Sequence, residues 1–178
     1  AFFDTAGEDL VSSDKMMALS LNSFISKAAG IVYLVDPLQI KYINQRIHVD
    51  NKPPVGPDVS DVLNNISQII RTNKKLSPKA RIDIPLAVVG VLFKNPEDEE
   101  EDKVLFGQCS SLHIPRENGK FDEENFKQID AELSEYLHRC LGDNFIQTVG
   151  GFSDHCFFAV SALGCNPVGS SLPRGVSP

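Results

Sequence analysis

IVYLVDP, residues 31–37, decides how this chain is read. Its β-branched, aromatic and aliphatic run from Ile31 to Val35, stopped by Asp36 and Pro37, predicts a strand covered on both faces in a parallel sheet. Just ahead of it, residues 14–29 place Met17, Leu21, Phe24 and Ala28 at helical spacing, with Ser13 as cap and Gly30 as terminator. A helix running straight into a buried strand is the unit from which α/β domains are built.

The same rhythm repeats downstream. DNKPPVGPD, residues 50–58, is a surface loop rich in Pro and Gly. Asp58 then caps a helical stripe of Val59, Val62, Leu63, Ile66, Ile69 and Ile70, and IPLAVVGVLF, residues 84–93, forms a second buried strand. EDEEED, residues 97–102, reads as a solvated, self-repelling loop rather than a cation site. A long helix over residues 122–141 carries Phe126, Ile129, Leu133, Tyr136 and Leu137 on its apolar face and stops at Gly142. After the short apolar piece FIQTV comes a last strand, CFFAV, residues 156–160, which runs into SALG and a Ser, Pro and Gly-rich tail. The expected organisation is one α/β domain over residues 1–164 with an extended or disordered tail over residues 165–178.

Composition bounds the function classes. A chain of 178 residues with 42% hydrophobic content can build one respectable core. The formal charge of -7, with no concentrated basic stretch, argues against nucleic-acid and anionic-membrane partners. Cys109, Cys140, Cys156 and Cys165 form no CxxC pair, so reduced and mostly buried thiols are expected, and a metal site from His155, Cys156 and Cys165 is disfavoured. His48, His113, His138 and His155 show no paired spacing. No apolar run reaches the roughly 20 residues of a membrane span and no leader opens the chain, which points to a cytoplasmic address.

A parallel sheet binds ligands at the carboxyl ends of its strands, so the residues that follow each strand are the candidates. They are Asp4 to Glu8, Asp36, Lys94 to Asp98, and Ser161 to Gly164. Asp36 reads as a turn-capping carboxylate before Pro37.

FFDTAGE, residues 2–8, resembles the Asp-x-x-Gly signature of P-loop GTPases, and FFAVSALG, residues 157–164, resembles their late Ser-Ala-x signature. Together with AAGIVYLVDP these motifs look closest to the bacterial double-GTPase type of the TRAFAC class. The resemblance implies an α/β, mostly parallel P-loop NTPase-like sheet with flanking helices. Asp4 would hold Mg²⁺, Gly7 would offer its N–H to the γ-phosphate, and Glu8 would face the attacking water, Gly7 and Glu8 being the catalytic pair. Thr5, Lys94, Asn95, Asp98, Ser161, Ala162 and Leu163 would complete the contacts to GTP or GDP. Two departures stand out: Glu8 replaces the usual glutamine, and Pro96 stands where the aspartate that reads guanine is expected, leaving Asp98 two residues on.

No Gly-x-x-x-x-Gly-Lys-Ser/Thr occurs in the chain, so the P-loop strand and first switch are missing from the expected fold. Two functions follow. One is a portion of a GTP-binding switch that hydrolyses GTP with Mg²⁺ only together with an upstream P-loop, partnered by other proteins or a further GTPase domain. The alternative is a nucleotide-free module that acts in protein–protein interaction. Phosphatase or dehydrogenase chemistry lacks its motifs: the chain has no CxxxxxR, GxGxxG or GxSxG.

Overall fold

A computed structural model describes residues 24–46, 54–91 and 120–160. Its centre is a three-stranded parallel sheet of β1 (Ile31–Val35), β2 (Leu86–Val91) and β3 (His155–Val160), in that spatial order. The register pairs Tyr33 with Val88 and Val88 with Phe157, and Val35 with Gly90 and Gly90 with Ala159. An isolated parallel bridge between Ile82 and Phe152 continues the β2 to β3 contact upstream of both strands. The α/β class and parallel sheet expected from the sequence are therefore present.

The helices lie between the strands in sequence. A 3-10 turn (Pro37–Gln39) leads into α1 (Lys41–Arg46), and α2 (Val59–Asn73) precedes β2. The long α3 (Glu123–Leu141) and the short α4 (Asp143–Gly150) precede β3. Capping explains where three of these begin. Asp36 Oδ1 accepts from the Leu38 N–H, Asp58 Oδ1 from the Ser60 N–H, and Asp122 Oδ1 from the Glu124 and Asn125 N–H groups. The turn-capping role expected of Asp36 is what the structure shows. Gly142 adopts φ 81°, a conformation that favours glycine, and so ends α3 and opens α4 in one residue.

Residues that share a register row point to the same face of the sheet. Tyr33, Val35, Leu86, Val88, Gly90 and Phe157 face the helices, where Leu63, Ile70, Leu133, Leu137, Phe145 and Val149 complete a continuous core. Gly90 lies beneath Leu133, whose Cδ1 sits 3.2 Å from where a Cβ on residue 90 would be. Tyr33 Oη donates to the Val59 carbonyl at 2.6 Å and ties β1 to the start of α2. Burial, reinforced by the nearby Asp58 carboxylate, pushes its phenol far above the usual range.

Sequential strand order explains why the helices share one side. Right-handed crossovers that always step in the same direction deliver each helix to the same face, and only a reversal of direction populates the other. Here β1, β2 and β3 follow one another without reversal. The second face carries Val32, Leu34, Ala87, Val89, Phe158 and Val160. Val32 and Leu34 are 65% and 66% exposed, so the expectation that β1 is covered on both faces is corrected. Phe24, expected on an apolar helix face, is likewise exposed, while its neighbours Ile25 and Ala28 pack against the core.

Candidate functional site

Asp4, Thr5, Gly7, Glu8, Lys94, Asn95, Asp98, Ser161, Ala162 and Leu163, the residues assigned to nucleotide and Mg²⁺, lie outside the described residues. What the structure does place is the carboxyl end of β3 and the first turn of α3. A cavity of about 340 Å³ opens there, walled by Phe121, Phe126, Ile129, Phe158 and Val160, with Lys120, Asp122 and Asn125 as its polar members.

The aromatic wall is a run of ring contacts. Phe121 meets Phe126 at 5.4 Å between centroids and Phe126 meets Phe158 at 5.1 Å, both tilted, as the ring quadrupoles prefer. Phe121 is 73% exposed at the rim, whereas Asn125 is only 6% exposed. The Asn125 carboxamide oxygen is buried without a hydrogen-bond partner among the described residues. The α3 N-terminus holds no further claim on an anion, because Asp122 occupies its first N–H groups and Glu123 and Glu124 follow in the first turn.

Next to this cavity, the outer edge of β3 is closed by a side chain. Asp130 Oδ1 accepts the Phe157 N–H at 2.6 Å, so that backbone donor is not offered to another strand. The same carboxylate helps to raise the neighbouring Cys156 thiol, although burial is the larger cause and Asp154 adds to it. His155 Nδ1 lies 3.0 Å from the Phe152 carbonyl oxygen, a backbone contact rather than a metal-facing arrangement. Among the described residues no group of three or more His, Cys, Asp or Glu side chains is gathered as a metal site would need.

A second cavity, of about 370 Å³, lies on the helical side between Gln39, Tyr42, Asp58, Ser60 and Cys140. The third feature is the outward face of β1 with Val32 and Leu34. Sequence reasoning missed Asn125, since a lone asparagine in the first turn of a helix reads as solvated. It also missed the bare face, since a run of apolar residues says nothing about how many layers cover it.

No protein-family model matches the chain, and no solved structure matches it. Among curated proteins, one from Mycolicibacterium smegmatis, named as an ESX-1 scaffolding and assembly protein, SaeC, is 26% identical over 184 residues, taking in 98% of this chain and 46% of the relative. The chain thus spans about half the length of the curated relative it matches.

That finding overturns the resemblance to P-loop GTPases of the double-GTPase type, and with it the description as a GTP-binding, magnesium-dependent hydrolase. A relative aligned along nearly the whole chain is named for scaffolding and assembly, and not as a GTPase. The physical reason the motifs misled is that they are short. A carboxylate, a glycine or a Ser-Ala pair after an apolar run is what any parallel α/β sheet places at a strand end, and Pro96 and the missing P-loop break the pattern where it is most specific. Among the described residues no helix is long and apolar enough to cross a membrane.

Proposed function

We propose that this chain is a protein-interaction module working within a larger protein, without nucleotide. The observation that carries this reading is the outward face of β1, where Val32 and Leu34 stand about two-thirds exposed in the middle of a regular strand. Two large aliphatic side chains side by side on one strand face are held in water at a cost unless a partner removes them. The strand order supports the reading, because the crossovers carry α1 to α4 to the opposite side of β1, and α3 meets the second face only at the β3 edge, where Phe126 packs on Phe158. The likeness to a protein named for scaffolding and assembly supports it independently.

The test replaces Val32 and Leu34 together by glutamate in the full-length protein and follows its native complexes by size-exclusion chromatography with light scattering. Both side chains already face water, so the fold and its circular dichroism should survive, while complexes seated on this face fall apart. Complexes of unchanged size would overturn the reading. So would calorimetric binding of Mg²⁺ and GTP that Asp4→Ala abolishes, since that would return the chain to nucleotide chemistry.

A further inference from the structure

We infer that β1 pairs edge to edge with β1 of a second copy of this chain, antiparallel and about a two-fold axis at Tyr33, so that the two sheets become one. The inference rests on the protein-interaction reading and names the partner of that same strand.

The register fixes which backbone groups of β1 are open. Ile31 donates its N–H to the Pro85 carbonyl, and the pairing of 31 with 86, 33 with 88 and 35 with 90 turns the N–H and C=O groups of Ile31, Tyr33 and Val35 toward β2. Successive residues of a strand bond to opposite sides, so Val32 and Leu34 turn theirs to the outer edge. Among the described residues no strand lies beyond that edge. The far edge of the sheet is closed, because Asp130 takes the Phe157 N–H, whereas no described side chain takes those of Val32 and Leu34. Nor does β1 carry the usual guards of an edge: Ile31–Val35 has no Pro, no Lys, no charge and an unbroken register.

Open N–H and C=O groups at strand spacing are matched by another strand, and β1 matches itself. About an axis at Tyr33, Val32 lies opposite Leu34 of the second copy, and Leu34 opposite its Val32. Each such pair exchanges both N–H···O bonds, which satisfies every open group of the two residues in both copies. The side chains agree with the backbone. This axis keeps the two bare faces on one side, and Val32 and Leu34, 65% and 66% exposed, join their counterparts in a single aliphatic row across the seam. Charge agrees as well: Asp36 comes opposite Gly30, which has no side chain, and its carboxylate is turned back onto the Leu38 N–H. Moving the axis to Val32 sets Leu34 against Gly30, and moving it to Leu34 sets Val32 against Asp36, so only the Tyr33 axis pairs apolar with apolar throughout. A two-fold contact of this kind uses one patch twice and closes at two copies. Five residues make a small seam, so the dimer is reversible and depends on concentration.

Light scattering after size-exclusion chromatography of the full-length protein should give a mass that rises from one copy toward two with concentration. Amide hydrogen exchange resolved by residue should show Val32 and Leu34 becoming protected over the same range, while Ile31, Tyr33 and Val35, bonded to β2, are protected throughout. Val32→Pro deletes an open N–H, keeps an aliphatic side chain and spares the β1–β2 ladder. It should weaken the dimer at least about tenfold, since a bond is lost on each side of the axis, and leave circular dichroism unchanged. If that variant fails to fold, the alternating exchange pattern of the unmodified protein decides. A single copy at every concentration, protection of Val32 and Leu34 that ignores concentration, or a dimer that Val32→Pro leaves at full strength would each overturn the proposal. So would complexes with an unlike chain that need the Val32 N–H while the protein alone stays a single copy. Complexes that fall apart on replacing Val32 and Leu34 by glutamate but withstand Val32→Pro would leave the interaction reading standing and remove the edge from it.

Discussion

Gly90 and Leu133 form the contact that decides which side of the sheet is helical, and a double-mutant cycle there tests the whole layer assignment. A Cβ built on Gly90 lies 3.2 Å and 3.4 Å from the two Leu133 methyl carbons, and Leu133 is fully buried. Alanine at this position needs Leu133 to give by a few tenths of an ångström. It also gains roughly 0.4–1 kcal/mol from the stiffer unfolded chain. The net effect of Gly90→Ala is expected to lie within about 1 kcal/mol of zero. Valine adds two further methyl groups against the same neighbour, and Gly90→Val should cost about 1–3 kcal/mol by overpacking. Leu133→Ala alone should cost about 2–5 kcal/mol, since it empties volume in a closed core.

The combination carries the information. If residue 90 points at Leu133, valine grows into the space that the leucine leaves, and the double variant should be at least about 1 kcal/mol more stable than the sum of the singles predicts. Urea unfolding followed by far-UV circular dichroism measures all four proteins. Additivity to within about 0.5 kcal/mol would refute the reasoning, because it would mean that α3 does not cover this face of β2.

Further perturbations probe single links. Asp122→Ala removes the acceptor for two N–H groups at the start of α3, and a loss of about 1–2 kcal/mol in urea unfolding is expected. Asp130→Ala strands the buried-side Phe157 N–H and should cost about 1–3 kcal/mol, whereas Asp130→Asn keeps an acceptor and should cost less than half as much. The Cys156 thiol, raised chiefly by burial and then by Asp130 and Asp154, should react with iodoacetamide more slowly in the folded protein than after unfolding in urea at the same mildly alkaline pH. The linkage has a definite sign. A thiol pKa raised by folding adds stability that is fully present below the unfolded thiol value and is lost as pH rises through the folded one, so unfolding midpoints should fall on that alkaline side.

Much of the fold was legible because local rules and tertiary contacts agree. Ile31–Val35 is the strand its composition implies, Asp58 caps the helix that its position announces, and Gly142 ends α3, whereas Asp122, read as the first residue of that helix, is its cap. The end of α2 was less visible, since the chain turns there through Lys75 at φ 51° instead of through a glycine. The helix α4 was read only as an apolar piece. Eight residues give too few turns for a periodicity, and Phe145 and Val149 show their shared face only once both are buried.

The candidate site was legible to a lesser degree. Asp36 was placed correctly because an aspartate before a proline has one dominant local use. The motifs chosen for nucleotide were read on residue types alone, and a short string at a strand end fits many proteins. Asn125 gave no signal, since the cavity it lines is completed by Phe158, Ala159 and Val160 of β3, which lie far along the chain from it.

The sequence by itself determined the alternation of helix and strand, the caps, and hence a parallel sheet, because those follow from spacing along the chain and from right-handed crossovers. Only the tertiary structure decided that one face of β1 is bare and that one asparagine oxygen is shut away without a donor. Exposure is a property of what else is nearby in space, and Val32 and Val35 look alike in sequence while one is 65% exposed and the other 1%.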